Sequence, residues 1–208
     1  MGIKKSSRLT VVAMLLAAAA LIAGCGKGSA SSEHHKTMKW DKMPEMTINL
    51  DKSYTAAFTT SKGDFTVKLL AEESPVAVNN FVFLVREGFY DGLTFHRVIE
   101  SYMIQGGDPQ GNGTGSPGYK IPDELDPDLK YETGIVAMAN AGQPNTGGSQ
   151  FFIGTGKDVG NLNQNPVYTI FGKVQDGMDT VLAIAKTPVK NTTPIEPVII
   201  EKIVIQEK

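Results

Sequence analysis

Two β-prone runs open the folded part of the chain. Residues 54–60 and 64–70 are rich in β-branched and aromatic side chains, which favour strands. Lys62 and Gly63 lie between them, and a glycine at this position suits a tight turn. This pattern predicts an antiparallel hairpin at the start of the domain.

A helical pattern follows the predicted hairpin. Ser74 supplies a side chain suited to the N-cap, and Pro75 has a backbone φ already set for the first turn. Val78 and Phe81 then follow at helical spacing, and Gly88 can end the helix. We therefore expect a helix over roughly residues 75–87 with its apolar face on the core.

Short apolar runs predict the remaining strands. They lie at residues 93–99, 102–105, 134–139, 150–153, 168–174 and 198–205. Residues 177–185 have the pattern of a second helix. Many short strands with two helices are typical of a barrel, so the predicted fold is mainly β: a closed β-barrel capped by two α-helices.

The first 24 residues have a different pattern. Lys4, Lys5 and Arg8 precede a run of 16 uncharged residues, 9–24. This run is shorter than the roughly 20 apolar residues of a spanning helix, and it fits the apolar region of a secretory signal. Residues 1–24 are therefore predicted to be a signal peptide, and the cysteine that follows them makes it a lipoprotein signal peptide.

The only cysteine, Cys25, stands directly after this run. Residues 21–25, Leu-Ile-Ala-Gly-Cys, resemble a bacterial lipobox, which implies that the cysteine is lipidated and becomes the mature N-terminus. The alternative is a signal peptide with an incidental cysteine. Under the lipobox interpretation, the protein is predicted to be anchored to the cell membrane by its lipid, on the extracytoplasmic face.

Residues 25–46 are predicted to be a flexible, lipidated tether. Gly, Ser, Ala and Lys make up residues 26–32, a composition that favours coil. His34 and His35 have no third ligand nearby and are interpreted as solvated linker residues. Trp40, the only tryptophan, also falls in this stretch, and the folded domain is predicted to occupy residues 47–208.

Composition and charge exclude several classes of protein. The 208-residue chain is 41% hydrophobic and 20% charged, as in an ordinary globular domain. Its net charge of -2 lacks the basic excess of a nucleic-acid binder, so no nucleic-acid partner is expected. One cysteine cannot form a disulfide framework or a multi-cysteine zinc site.

Familiar catalytic motifs are missing from the sequence. It contains neither a phosphate-binding loop nor a Gly-x-Ser-x-Gly nucleophile elbow. Residues 111–115 are rich in glycine, but they lie among turn residues and do not open a helix. His96 and Glu100 are four residues apart on a predicted strand, so we interpret His96 as a packed residue rather than a metal ligand.

Three segments carry more specific information. Residues 95–108 contain Phe-His-Arg-Val-Ile and Met-Ile-Gln-Gly-Gly-Asp; residues 113–124 contain Gly-Thr-Gly and Pro-Asp-Glu. Residues 138–153 contain Met-Ala-Asn-Ala and Gly-Ser-Gln-Phe-Phe-Ile. In this order they resemble the cyclophilin family of peptidyl-prolyl cis-trans isomerases, and the resemblance covers roughly residues 52–208.

The resemblance implies an eight-stranded antiparallel barrel closed by two helices, with a groove on its outside and neither metal nor cofactor. By position it implies catalytic roles for Arg97, Gln105 and Asn140. The residues implied to bind substrate are Tyr102, Met103, Gly113, Ala139, Ala141, Gln150, Phe152, Leu162 and Tyr168. Neighbouring strand residues face opposite sides, so Phe152 is expected in the groove and Phe151 in the core.

Rotation about an amide suits these residues chemically. The barrier is about 18–20 kcal/mol, and no bond is broken, so neither a nucleophile nor a general base is required. The twisted amide loses resonance, and a fixed guanidinium such as Arg97 can donate to its nitrogen. Met103 and Phe152 would hold the proline ring while the preceding segment turns.

Three functions are compatible with the sequence. The expected one is a monomeric isomerase that acts on proline-containing polypeptides outside the cytoplasm and assists the folding of exported proteins. The alternatives are a module that holds proline-containing segments without turnover, and an adhesin or solute-binding lipoprotein built on the barrel. Retention of Arg97, Gln105 and Phe152 favours the enzyme.

Overall fold

An eight-stranded antiparallel sheet forms the body of the domain. The computed structural model describes residues 38–208, so the predicted signal peptide, Cys25 and the two linker histidines lie outside the described residues. The strands of the sheet are β1 (Tyr54–Thr60), β2 (Gly63–Leu69), β3 (Arg97–Ile99), β4 (Met103–Gly106), β5 (Ile135–Met138), β6 (Phe151–Gly154), β7 (Ile170–Asp176) and β10 (Ile200–Glu207). A separate hairpin consists of β8 (Val189–Lys190) and β9 (Thr193–Pro194).

The sheet has the order β10-β1-β2-β7-β5-β6-β4-β3 and curves into a half-barrel. Eight antiparallel strands are confirmed, but the predicted closed barrel is not seen, because β10 and β3 do not pair among residues 38–208. The outer edge of β3 is occupied instead: Val98 N–H donates to Thr192 O over 2.7 Å. Residues 92–95 run beside residues 198–200, with Gly92 N–H donating to Ile200 O over 2.7 Å.

The predicted hairpin is formed by β1 and β2. Thr60 pairs with Gly63 at the turn, and Gly63 has a φ of 120°, which favours glycine. Alternate residues of β1 face the core, and Phe58 stacks on its cross-strand partner Phe65 with ring centroids 4.5 Å apart. The register of this pair therefore follows from its buried face.

Both predicted helices are present, as α1 (Pro75–Arg86) and α2 (Met178–Ala185). Ser74 is the N-cap residue of α1, as predicted, and Pro75 begins the helix, but the Ser74 hydroxyl makes no cap hydrogen bond because it donates to Ile170 O over 2.8 Å. The carboxylate of Glu124 accepts the first free N–H groups instead, from Val76 and Ala77 over 3.0 and 2.9 Å. Glu124, which is distant in the sequence, thus binds the N–H groups that a local side-chain cap would otherwise accept from.

A 3-10 helix, Lys157–Gln164, was not predicted. It occupies the polar stretch between β6 and β7. Within residues 38–208, the structure contains no helix with both the length and the apolar character needed to cross a membrane.

Residues 38–46, which the sequence assigned to the tether, lie against the domain; we call them the N-terminal strap. Trp40 N–H donates to Pro117 O over 2.9 Å, and the indole ring contacts Phe83 and Phe89 at centroid distances of 5.2 and 5.9 Å. The ordered fold thus extends beyond the predicted boundary at residue 47, since the tryptophan provides an apolar anchor.

Candidate active site

Three adjacent strands place the central site residues side by side. Arg97 on β3 pairs with Gln105 on β4, and Gln105 pairs with Phe152 on β6. Cross-strand partners present their side chains on the same face of a sheet. The register therefore brings together three predicted residues that are up to 55 positions apart in the chain (152 minus 97).

These side chains surround a small pocket of about 110 Å³. Its lining residues are Arg97, Tyr102, Met103, Gln105, Ala139, Asn140, Phe152 and Tyr168. All eight belong to the set implied by the sequence resemblance. The pocket combines one guanidinium with apolar and aromatic walls, an arrangement suited to a small ring next to a polar backbone.

The pocket rests on a hydrophobic cluster distinct from the main core. Met103 and Phe152 are buried in this second cluster, whereas Phe151 is buried in the main core. This confirms the expected division between the two phenylalanines. The Phe152 ring also meets the Tyr168 ring edge to face, with centroids 5.4 Å apart, so the apolar wall is packed before a peptide arrives.

A chain of side-chain hydrogen bonds runs from the arginine to a neighbouring loop. Arg97 Nη1 donates to Gln105 Oε1 over 3.3 Å, and Gln105 Nε2 donates to Gln150 Oε1 over 3.0 Å. Gln150 Nε2 then donates to the carbonyls of Gly113 and Gly115 over 3.1 and 2.9 Å. These contacts hold the half-buried guanidinium at the edge of the pocket.

Asn140 uses its side chain to connect two loops. Its Nδ2 donates to Val167 O over 2.9 Å, and its Oδ1 accepts from Gly142 N–H over 3.0 Å. These two bonds hold the loop backbone at Asn140 beside the small pocket.

Leu162 is the one predicted substrate-binding residue that lines neither the small pocket nor the larger cavity described below. It lies on the 3-10 helix and packs against the hydrophobic cluster that contains Met103 and Phe152. The local helix between β6 and β7 accounts for this position, which could not be read from the polar sequence.

A larger cavity of about 910 Å³ shares Gln105, Ala139 and Asn140 with the small pocket. Gly113, Ala141 and Gln150, all predicted to bind substrate, line this cavity. Three lining residues that the sequence did not indicate come from the N-terminal strap: Asp41, Lys42 and Met43. No local motif marks them, because their position depends on where the strap docks.

Burial keeps two tyrosines at and near the small pocket uncharged by raising their pKa. Burial raises the pKa of the Tyr102 hydroxyl; nearby Tyr168 adds to the rise, whereas Arg97 opposes it. Burial likewise raises the pKa of Tyr131, whose hydroxyl donates to Tyr168 O over 2.6 Å and accepts from Tyr168 N–H over 2.9 Å. Tyr131 therefore fixes the backbone of Tyr168, and sequence reasoning missed this role.

Behind the site, His96 is buried, and burial lowers the pKa of its imidazole. Neither ring nitrogen has a hydrogen-bond partner among residues 38–208. Over the same residues, no group of three or more His, Cys, Asp or Glu side chains is placed to hold a metal ion. The burial of His96 agrees with its interpretation as a packed residue.

The family model described as "Cyclophilin type peptidyl-prolyl cis-trans isomerase/CLD" matches residues 55–205, which include every site residue above outside the strap. The chain belongs to this cyclophilin family. Peptidyl-prolyl cis-trans isomerase A of Mycobacterium tuberculosis is 45% identical over 170 residues, covering 73% of this chain and 91% of the relative. Peptidyl-prolyl cis-trans isomerase B of Streptomyces anulatus is 42% identical over 173 residues, covering 74% and 97%.

Solved cyclophilin structures support the same assignment. A cyclophilin-type isomerase from Cryptosporidium parvum, crystallised in the presence of the dipeptide Ala-Pro, matches with a TM-score of 0.68 and 40% identity, covering 73% of this chain and 98% of that one. The cyclophilin resemblance read from the sequence is confirmed. Among the three functions considered above, the comparisons select the first: the chain is a peptidyl-prolyl cis-trans isomerase.

Proposed function

We propose that this cyclophilin isomerises X-Pro bonds of exported proteins outside the cytoplasm, assists their folding, and is held at the membrane as a monomer by a lipid on Cys25. The basic residues and short apolar run before Cys25 support export. The lipobox-like residues 21–25 support the anchor. Slow X-Pro isomerisation limits the folding of many chains, which gives an exported isomerase its substrates.

In this proposal the small pocket holds the proline ring against Met103 and Phe152. Gln105 and the backbone at Asn140 hold the peptide, and the larger cavity receives residues beside the proline. The part of the peptide before the proline then rotates. The packed Phe152 and Tyr168 rings keep the proline from following that rotation.

Arg97 acts on the twisted state. As the amide rotates, its nitrogen loses conjugation and becomes a hydrogen-bond acceptor, which the planar guanidinium can reach while also donating to a nearby carbonyl. The observation that carries this mechanism is that Gln105 holds Arg97 at the edge of the small pocket, which Met103 and Phe152 also line. A donor already in place requires little rearrangement when the amide twists.

Isomerisation of an Ala-Pro peptide by Arg97→Ala tests the mechanism. A positioned donor contributes about 100- to 1,000-fold, so kcat/KM should fall by that factor while circular dichroism stays native. Arg97→Lys should recover little, since an ammonium lacks the planar fork. Arg86→Ala is the matched control, because Arg86 makes an exposed ion pair with Glu207. A folded Arg97→Ala protein with most of its activity would overturn the mechanism.

Cys25→Ser tests the anchor. The variant should accumulate as unprocessed precursor or leave the membrane fraction, and it should not incorporate labelled palmitate. Ser29→Ala, in the predicted tether, is the control and should remain processed and membrane-bound. Unchanged processing and lipid labelling of Cys25→Ser would reject the lipoprotein assignment.

A further inference from the structure

The N-terminal strap forms one wall of the larger cavity. Asp41, Lys42 and Met43 line it on one side, and Gly113 and Gln150 line it on another. The family model begins at residue 55, so this wall lies outside the part of the chain that the family shares.

The strap is anchored on both sides of the lining residues. Before them, Trp40 is bonded to Pro117 O and packs on two phenylalanine rings. After them, Asn79 Nδ2 donates to Glu45 O over 2.9 Å, and Asn79 Oδ1 accepts from Thr47 N–H over 2.8 Å. Two anchors on such a short segment fix where residues 41–43 stand.

Close approach of the backbones shows that the strap fits its site. Gly118 has a φ of 99°, and a Cβ at this position would lie 2.5 Å from Trp40 O. A side chain there would push the strap away from the domain. The glycine therefore permits the contact that places the wall.

A peptide bound for catalysis can reach this wall. The small pocket and the larger cavity share Gln105, Ala139 and Asn140, so a chain with its proline in the pocket continues directly into the cavity. A cavity of about 910 Å³ has room for side chains next to the proline. The strap thus contacts substrate residues rather than the reacting amide.

The charged residues lining the cavity are two lysines, Lys42 and Lys120, and one aspartate, Asp41. Lys42 also lies 3.4 Å from the exposed carboxylate of Glu45, which offsets part of the field of its ammonium group. We propose that Asp41 and Lys42 of the strap are specificity-determining residues of this cavity for side chains within about three residues of the proline: Lys42 favours acidic side chains, and Asp41 favours basic ones. The proposal rests on the isomerase activity and adds a substrate class to it.

A peptide series and charge reversal test the proposal in the full chain, purified in detergent. The peptides carry Glu, Lys or Ala at each position within three residues of Ala-Pro, and kcat/KM for each charged peptide is divided by that for its Ala counterpart. Exposed charge pairs contribute little each, so Lys42→Glu should lower the Glu-to-Lys ratio by about two- to fivefold. Asp41→Lys should raise it by a similar factor.

Lys62→Glu is the matched control, since it makes the same charge change in the exposed β1–β2 turn, away from the cavity. It should leave the ratio unchanged, and salt should reduce the effects at residues 41 and 42. Fluorescence of Trp40, the only tryptophan, verifies that the strap stays docked in each variant. If Lys42→Glu shifts the Trp40 emission, the strap has moved in that variant, and the proposal is tested by Asp41→Lys, which changes the charge in the opposite direction.

Ratios that do not move in either variant, or that move as much in the Lys62→Glu control, would overturn the proposal. Failure of the isomerase activity itself would look different, because no peptide in the series, including the uncharged ones, would then be turned over.

Discussion

At the scale of single residues, hydrogen-bond polarity sets the orientation of two glutamines. An arginine can only donate, so Gln105 must present its oxygen to Arg97 and its NH₂ group to Gln150. Gln150 in turn directs its NH₂ group at the carbonyls of the loop. The arginine and the loop thus define one arrangement, in which each amide has both ends satisfied.

Gln105→Glu should break this arrangement without changing its size. A carboxylate binds the guanidinium more strongly and cannot donate to Gln150, so Arg97 is held back from the twisted amide. We expect kcat/KM for an Ala-Pro peptide to fall about 10- to 100-fold, less than the roughly 100- to 1,000-fold for complete loss of a positioned donor, because the guanidinium is still present. Gln206→Glu on the exposed face of β10 is the control. Full activity in Gln105→Glu would show that catalysis does not need the hydrogen bonds that link Arg97, Gln105 and Gln150.

His96 should make stability depend on pH. Burial lowers the pKa of its imidazole below the ordinary 6.5, whereas the unfolded chain keeps the ordinary value. As pH falls through 6.5, the unfolded chain takes up a proton that the folded protein resists, so the free energy of unfolding decreases. Urea titrations at pH 7.5 and 5.5 should show this decrease in the wild type and a smaller one in His96→Gln. Equal decreases in both proteins would exclude His96 as the cause.

The sequence predicted some residue positions because their causes are local. Strand alternation placed Phe151 and Phe152 on opposite faces, and the structure confirms both. Ser74 stands at the predicted N-cap position, but Glu124, 50 positions away, accepts the free N–H groups of the helix in place of its side chain. A contact from a residue so distant in the sequence cannot be predicted from the local pattern around the helix start.

At the scale of elements, one buried carboxylate shapes the loop beside the catalytic strands. Asp108 follows β4 and accepts hydrogen bonds from the N–H groups of Gln110, Asn112 and Gly113. The loop then presents the carbonyls of Gly113 and Gly115 to Gln150. Asp before a glycine-containing turn is a recognisable signal, so sequence reasoning could have found this role.

Asp108→Ala should release this loop. Loss of an acceptor for three N–H groups should lower the free energy of unfolding by about 3 kcal/mol, since hydrogen bonds to charged groups are among the stronger ones. Activity should also fall, because Gln150 loses its anchored partners. Thermal and urea unfolding measure the first effect, and peptide isomerisation measures the second. Asp51→Ala, on an exposed turn, should change neither, and a native-like Asp108→Ala protein would refute the role.

Element prediction succeeded where a pattern was long enough to read. The β1–β2 hairpin and both α-helices were found within a few residues of their observed ends. The 3-10 helix and the β8–β9 hairpin were missed: the helix is mostly polar, and strands of two residues are too short to show a periodicity. Barrel closure was overestimated because β3 contains only three residues and its outer edge is taken by Thr192.

At the scale of the whole molecule, the folded unit includes residues that composition assigned to a linker. Glycine and serine before residue 33 favour coil, but Met38 and Trp40 pack against the main core. Trp40 thus packs on the core seven positions before the predicted start of the domain at residue 47 (47 minus 40). The strap is at once part of the fold and part of the groove.

Trp40→Ala should therefore destabilise the whole domain. The indole is half-buried between Phe83 and Phe89, so its loss should lower the free energy of unfolding by about 2 kcal/mol, less than for a fully buried aromatic. Trp40→Phe keeps a ring in the same position and should retain most of the stability. Urea unfolding followed by circular dichroism measures both variants without relying on the tryptophan signal. If residues 38–46 were only a flexible tether, both variants would unfold at the wild-type urea concentration.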